Sequence, residues 1–117
     1  MGQILELNWL PCDLNTYIQK ERSNRFLGAK IKKEETETIA WVAKAKLKPI
    51  KKPVRMYFKW IAKNKKKDPD NICFARKFIL DALVLAKILE NDGWKNIKGF
   101  ADDFEIGKEE KVIIDIV

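Results

Sequence analysis

The segment VRMYFKWI, Val54 to Ile61, alternates its side chains with a period of two, which suits a strand and not a helix. A strand of this kind must pair with others and lay its apolar row on a second layer. Residues 3–9, QILELNW, alternate too, with Leu5, Leu7 and Trp9 on one side and Ile4, Glu6 and Asn8 on the other. Phe100, Phe104 and Ile106 alternate in a third strand, and Val112, Ile114 and Ile116 line a fourth. Helical patterns lie between them. The chain from about Thr16 to Leu47 reads mainly as helix, with SNRFLG interrupting it at Gly28 and Ile31, Thr38, Ile39, Val42 and Ala43 forming its stripe. Lys44, Lys46 and Lys48 collect at its end, where the helix dipole favours cations, and Pro49 and Pro53 mark the exit. Asn71 to Leu89 predicts a second helix, with Ile72, Ala75, Ile79, Ala82, Leu83 and Ala86 on one face. Phe74, Phe78 and Leu85 widen that face. The order is β-α-β-α-β-β, in a chain of 117 residues that suggests one domain, residues 1–117.

Composition narrows the chemistry. Hydrophobic residues at 46% and charged residues at 35% indicate a globular chain and exclude disorder. No apolar run approaches the ~18 residues of a membrane span. The opening MGQILELNWL lacks the basic region of a secretory signal, so a cytoplasmic protein without a membrane partner is expected. Cys12 and Cys73 show no CxxC spacing and read as free buried thiols. The chain contains no histidine, which removes the Ser-His-Asp triad and the imidazole base. Any catalysis must rest on carboxylates, lysines and a metal, with no organic cofactor. Charge is also uneven. Residues 1–67 carry a net +11 and residues 68–117 a net −4. A basic half of this size is an electrostatic footprint for nucleic acid, and the acidic half needs a separate explanation.

The two halves meet in KNKKKDPDN, Lys63 to Asn71. Pro69 fixes its own φ and pushes Asp68 toward an extended conformation. Asp70 is a good N-cap for the helix that follows. In an uninterrupted helix Lys77 and Asp81 fall within about 20° of Asp70, so one stripe would run Asp70–Lys77–Asp81 with Lys77 leaning back toward the acids. Read as structure alone, Lys77 and Asp81 are an i,i+4 ion pair. Asp92 follows the helix's far end and approaches Asp68 only if the chain folds back. Neighbouring carboxylates repel unless a cation lies between them, and carboxylates without histidine or thiolate suit a hard ion, Mg²⁺ or Mn²⁺. Such an ion activates water and polarises a phosphodiester.

The run DPDN…K…LDAL…ILENDGW resembles the RusA-type Holliday-junction resolvases of bacteria and their prophages. The opening LPCDLNTYIQKER is similar to that family's first loop, and the element order matches its small α+β fold. The resemblance covers nearly the whole chain. It implies one mixed four-stranded sheet packed against helices, an intertwined homodimer, bound Mg²⁺ and paired nicks in four-way DNA junctions during recombination and repair. By position, Asp68, Asp70 and Asp92 match the catalytic, metal-holding acids and Lys77 the catalytic lysine. Asn71, Asp81 and Asp102 stand as supporting polar residues, and Lys63, Lys65, Lys66, Lys67 and Arg76 as contacts to DNA. Two features depart from the family pattern. The gap from Asn71 to Lys77 is about one helical turn longer, so Arg76 could substitute for Lys77. The acidic pair reads Asn91-Asp92, so Asp102, on the apolar face with Phe100 and Phe104, could supply a further carboxylate. Competing expectations are a non-catalytic basic nucleic-acid-binding domain, a nuclease for flaps or other branched DNA, and a structural dimerisation protein.

Overall fold

The computed structural model describes residues 2–117. Eight elements follow in order: β1 (Gln3–Leu7), α1 (Leu14–Ser23), α2 (Arg25–Lys46), β2 (Val54–Ala62), α3 (Pro69–Cys73), α4 (Arg76–Leu85), β3 (Ile97–Ile106) and β4 (Lys111–Ile116). The strands form one mixed sheet in the order β1-β4-β2-β3. β4 runs antiparallel to both β1 and β2, and β3 runs parallel to β2. The α+β class and the β-α-β-α-β-β order expected from the sequence are therefore those of the structure, with each helical stretch divided in two.

Period-two alternation explains the core. β2 buries Val54, Met56, Phe58, Trp60 and Ala62 and turns Arg55, Tyr57 and Lys59 away. Leu5 and Leu7 of β1 and Val112, Ile114 and Ile116 of β4 extend this apolar face. Ile39 and Ala43 of α2 and Phe78, Ile79, Ala82 and Leu83 of α4 cover it. The opposite face is open and mixed, with Glu6, Arg55, Lys59 and Asp103 beside exposed Ile4 and Tyr57, as a sheet with antiparallel pairs permits. Among the described residues no helix is long and apolar enough to cross a membrane.

The helix boundaries differ from expectation in three places, each for a local reason. The first interruption falls at Asn24 and not at Gly28. Asn24 is extended (φ −166°, ψ 117°) and its Oδ1 accepts the Phe26 N–H at 2.9 Å, so one residue ends α1 and caps α2. Gly28 lies inside α2, where a Cβ would come within 3.1 Å of Glu21, and its lack of a side chain lets the two helices approach. The second helix is not continuous from Asn71 to Leu89. Its ladder tightens to i→i+3 bonds at Phe74 and Ala75, and Phe74 and Phe78 then pack edge-on at 5.6 Å, both against Tyr17. It also ends at Leu85, in a Schellman motif. Ile88 N–H donates to the Leu83 carbonyl at 2.9 Å and Lys87 N–H to the Val84 carbonyl at 3.0 Å. Lys87 occupies the left-handed position with φ 61°. This turn buries Ile88 and Leu89.

A side chain in that conformation is strained, whereas glycine is not. Lys87→Gly is expected to raise unfolding free energy by about 0.5–1 kcal/mol. Urea melts of the two chains check this, and a destabilised variant would contradict it.

Candidate functional site

The basic loop leaves the end of β2 and leads into α3. Asp68 is extended (φ −72°, ψ 153°) and takes the N-cap position that the sequence pattern gave to Asp70, with Pro69 next and Asp70 in the first turn. The Asp68 side chain makes no cap hydrogen bond. Asn71 is buried, and its Oδ1 accepts the Asn15 N–H at the start of α1 at 2.8 Å. It is a tether that places the two aspartates.

A second tether was not apparent from the pattern. Asp13, 6% exposed, caps α1 by accepting from the Thr16 N–H at 3.1 Å and the Thr16 hydroxyl at 2.8 Å. Lys67 Nζ reaches the same carboxylate at 2.9 Å. Burial alone would push the Asp13 carboxyl up, but the Lys67 ammonium and the Thr16 donors outweigh it and hold the group at about 2. Lys67, expected at a phosphate, is therefore a clamp between the basic loop and α1. The D-x-x-T spacing of an N-cap was the available sequence signal. Lys63, Lys65 and Lys66 are exposed and in no ion pair among the described residues, and Lys66 N–H donates to Asn64 Oδ1 at 3.0 Å, which shapes the loop.

Beside this loop lies an open groove of about 380 Å³. Lys65 and Asp68 stand at its polar wall, and Trp60, Ile72, Phe104 and Ile106 at its apolar one. Farther along β3, both oxygens of Asp102 are engaged. Trp60 Nε1 donates to Oδ1 at 2.8 Å and Arg76 Nη1 to Oδ2 at 2.6 Å. The Arg76 guanidinium also lies 4.7 Å from the Phe100 ring centre and 5.6 Å from that of Phe58. Arg76 thus sits between apolar rings as a tie from α4 to β3, with its charge committed to Asp102. Burial pushes the Cys73 thiol up, and the carboxylates of Asp102 and Asp70 add to that shift while Arg76 opposes it. Cys12 is raised to about 11 by burial and by Asp13 and Glu35, and neither cysteine is bonded to another.

Lys77 pairs with Asp81 one turn later at 3.2 Å. The helical break between Asp70 and Lys77 removes the continuous 100° rotation on which a shared stripe depends. Asp92 does return to the sheet, but at the other end. It borders a recess with Gly93, Ile97 and Phe100, whereas Asp68 borders the groove with Phe104 and Ile106. Phe100 and Phe104 are about 13 Å apart by the rise of a strand. Among the described residues no three Cys, Asp or Glu side chains gather closely enough to hold a metal ion. The oxygen chemistry of Asp68 and Asp70 suits a hard cation, but the chain by itself does not close a three-carboxylate cage.

No family model matches this chain, and no curated protein does either. The resemblance to the RusA-type resolvases thus rests on the motif residues themselves. One contrast among those residues stands out. Asp13, Asp81 and Asp102 each hold a cation, whereas Asp68, Asp70 and Asp92 have neither an ion pair nor a side-chain hydrogen bond among the described residues.

The Asp13–Lys67 pair makes a prediction about pH. Its folded pKa is depressed from 3.8 to about 2, so its stabilisation is fully present above the unfolded value and is lost as pH falls through about 2. Asp13→Asn keeps a cap but loses the charge. It should cost about 1–2 kcal/mol at pH 7, less than the full shift implies because Lys67 is half exposed. The gap between the two melting curves should narrow below pH 4 and close near pH 2. A gap independent of pH would show that Asp13 acts only as a hydrogen-bonding cap.

Proposed function

We propose that this chain is a Mg²⁺-dependent endodeoxyribonuclease that nicks four-way DNA junctions. The observation that carries this reading is the pair of uncommitted carboxylates, Asp68 and Asp70, at the end of a loop whose Lys63, Lys65 and Lys66 are exposed and unpaired. Lysines there would hold the DNA backbone by displacing its counterions. Asp68 and Asp70 would hold the ion together with phosphate oxygens and water, since Mg²⁺ is commonly bound by one or two carboxylates plus substrate. Mn²⁺ would serve as a substitute. When bound, the ion supplies polarisation of the phosphodiester and a more acidic water. Asn71 and the Asp13–Lys67 clamp keep the two aspartates in place. Lys77 is half exposed and within reach of solvent-borne phosphate, but it must leave Asp81 to act.

A homodimer fits the same picture. β3 is an edge strand of ten residues, and its inner row is exposed, at 44% for Phe100, 38% for Phe104 and 52% for Ile106. An open apolar edge of this length invites another strand. A second copy would cover it and offer matching sites to a junction with near two-fold symmetry.

Two measurements follow. A synthetic four-way junction, a linear duplex and a flap should be compared with Mg²⁺ and with EDTA. The junction should be nicked only with the metal, and Asp68→Asn or Asp70→Asn should lower the rate roughly 10²-fold or more, the loss typical of one charge-stabilising group, while junction binding persists. Cutting at the parent rate by Asp70→Asn would overturn the assignment. Sedimentation equilibrium should give a dimer that Phe104→Glu dissociates, and a monomeric parent chain would end the dimer proposal.

A further inference from the structure

A second basic surface lies at the opposite end of β2 from the loop just described. Trp41 to Lys52 contains five lysines, Lys44, Lys46, Lys48, Lys51 and Lys52, and no acidic residue. All five are exposed, and none forms an ion pair among the described residues. Several cations on or beside the sheet are committed instead: Lys59 to Glu105, Lys67 to Asp13, Lys77 to Asp81, Arg76 to Asp102 and Lys111 to Glu6.

The segment is held, not loose. Gln3 Nε2 donates to the Lys48 carbonyl at 3.0 Å, and Lys48 N–H donates to Gln3 Oε1 at 2.8 Å. Ile50 N–H donates to the Ile88 carbonyl at 2.7 Å. Pro49 and Pro53 each fix a φ. The backbone ordering that binding would otherwise require is already present. One turn before Lys44, Trp41 is 81% exposed. Trp41 and Lys44 project from the side of α2 opposite buried Gly28 and Ile39, by the helical rotation of about 100° per residue. An indole beside a row of fixed ammonium groups suits a polyanion that also presents sugars and bases. It suits a bilayer less well, because this run has no continuous apolar face to insert.

Distance gives the surface a place in the complex. It ends just before β2, and the Lys63–Asp70 stretch begins just after it. The nine residues of β2 span about 30 Å at the rise of a strand. Duplex DNA covers that length in about nine base pairs. Acidic residues at this end include Glu90 and Asp92, on the loop that follows α4 and bridges to Ile50 through Ile88 and Leu89, and Asp115, opposite Tyr57 in β4.

We infer that the Trp41–Lys52 surface docks the phosphate backbone of a duplex arm, about nine base pairs from the strand held at Asp68 and Asp70. This rests on the nuclease reading above. The test compares the parent chain with a variant carrying glutamine at all five lysine positions, on junctions with 20-base-pair and 6-base-pair arms, over a series of salt concentrations. On long arms the log–log salt slope should fall by about 0.9 per lost contact, about 4.5 for all five, and on short arms the two chains should bind alike. An unchanged slope on long arms, with the parent chain still cutting junctions, overturns the docking surface and leaves the nuclease reading intact. An equal loss on short arms overturns it too, because the lysines would then act beside the branch. If long linear duplex is bound with the full lysine dependence but no junction is cut, the docking surface holds and the nuclease reading falls. Binding to anionic phospholipid vesicles without binding to DNA overturns both.

Discussion

Two strands that run parallel cannot be joined by a hairpin, so the chain between β2 and β3 has to travel back along the sheet. Here it does so through the basic loop, α3, α4 and the Asn91–Asn96 turn. That return decides the layout of every candidate site residue. Groups just after β2, Lys63 to Asp70, come to one end of the sheet. Groups just before β3, Asp92 among them, come to the other. Asp102, midway along β3, is left between them, held by Trp60 of the neighbouring strand and by Arg76 of α4.

The electrostatics follow the same layout. A charge withdrawn from water without a partner is costly, and Asp13, Asp81 and Asp102 each hold a cation. Asp68 and Asp70 are exposed, carry no such cost and hold none among the described residues. Lys67 and Arg76 pair with Asp13 and Asp102, tying the basic loop to α1 and α4 to β3. Lys63, Lys65, Lys66 and the five lysines of the Trp41–Lys52 run are exposed and form no ion pair among the described residues.

The helix break at Phe74 and Ala75 sets how α3 and α4 are joined. A continuous helix would carry Lys77 round to the face of Asp70. The structure has instead a tight turn that seats Phe74 and Phe78 against Tyr17. α3 is then a short piece fixed by Asn71 to α1, while α4 belongs to the core through Phe78, Ile79, Ala82 and Leu83. The aspartates are thereby carried on a small unit whose position depends on tethers and not on the core helix.

Periodicity by itself determined the strands, because alternation along Val54–Ala62 and Val112–Ile116 leaves only one face to bury. It also determined that helices must cover that face, while composition removed histidine-based chemistry and the order of charges put the junction of acid and base at Lys67 and Asp68. It misplaced helix ends at Asn24, Phe74 and Leu85, where a side-chain cap, an aromatic cluster and a Schellman turn outweighed local periodicity. The partners of Asp13, Asp102, Lys67 and Arg76 were decided only by tertiary structure. Asp102 and Trp60 lie 42 positions apart and Asn15 and Asn71 lie 56 apart, so no spacing rule connects them. Pairing across such separations depends on which strands run parallel and how the chain returns between them. Sequence pattern constrains each element's faces, but it says nothing about which end of the sheet a loop will reach.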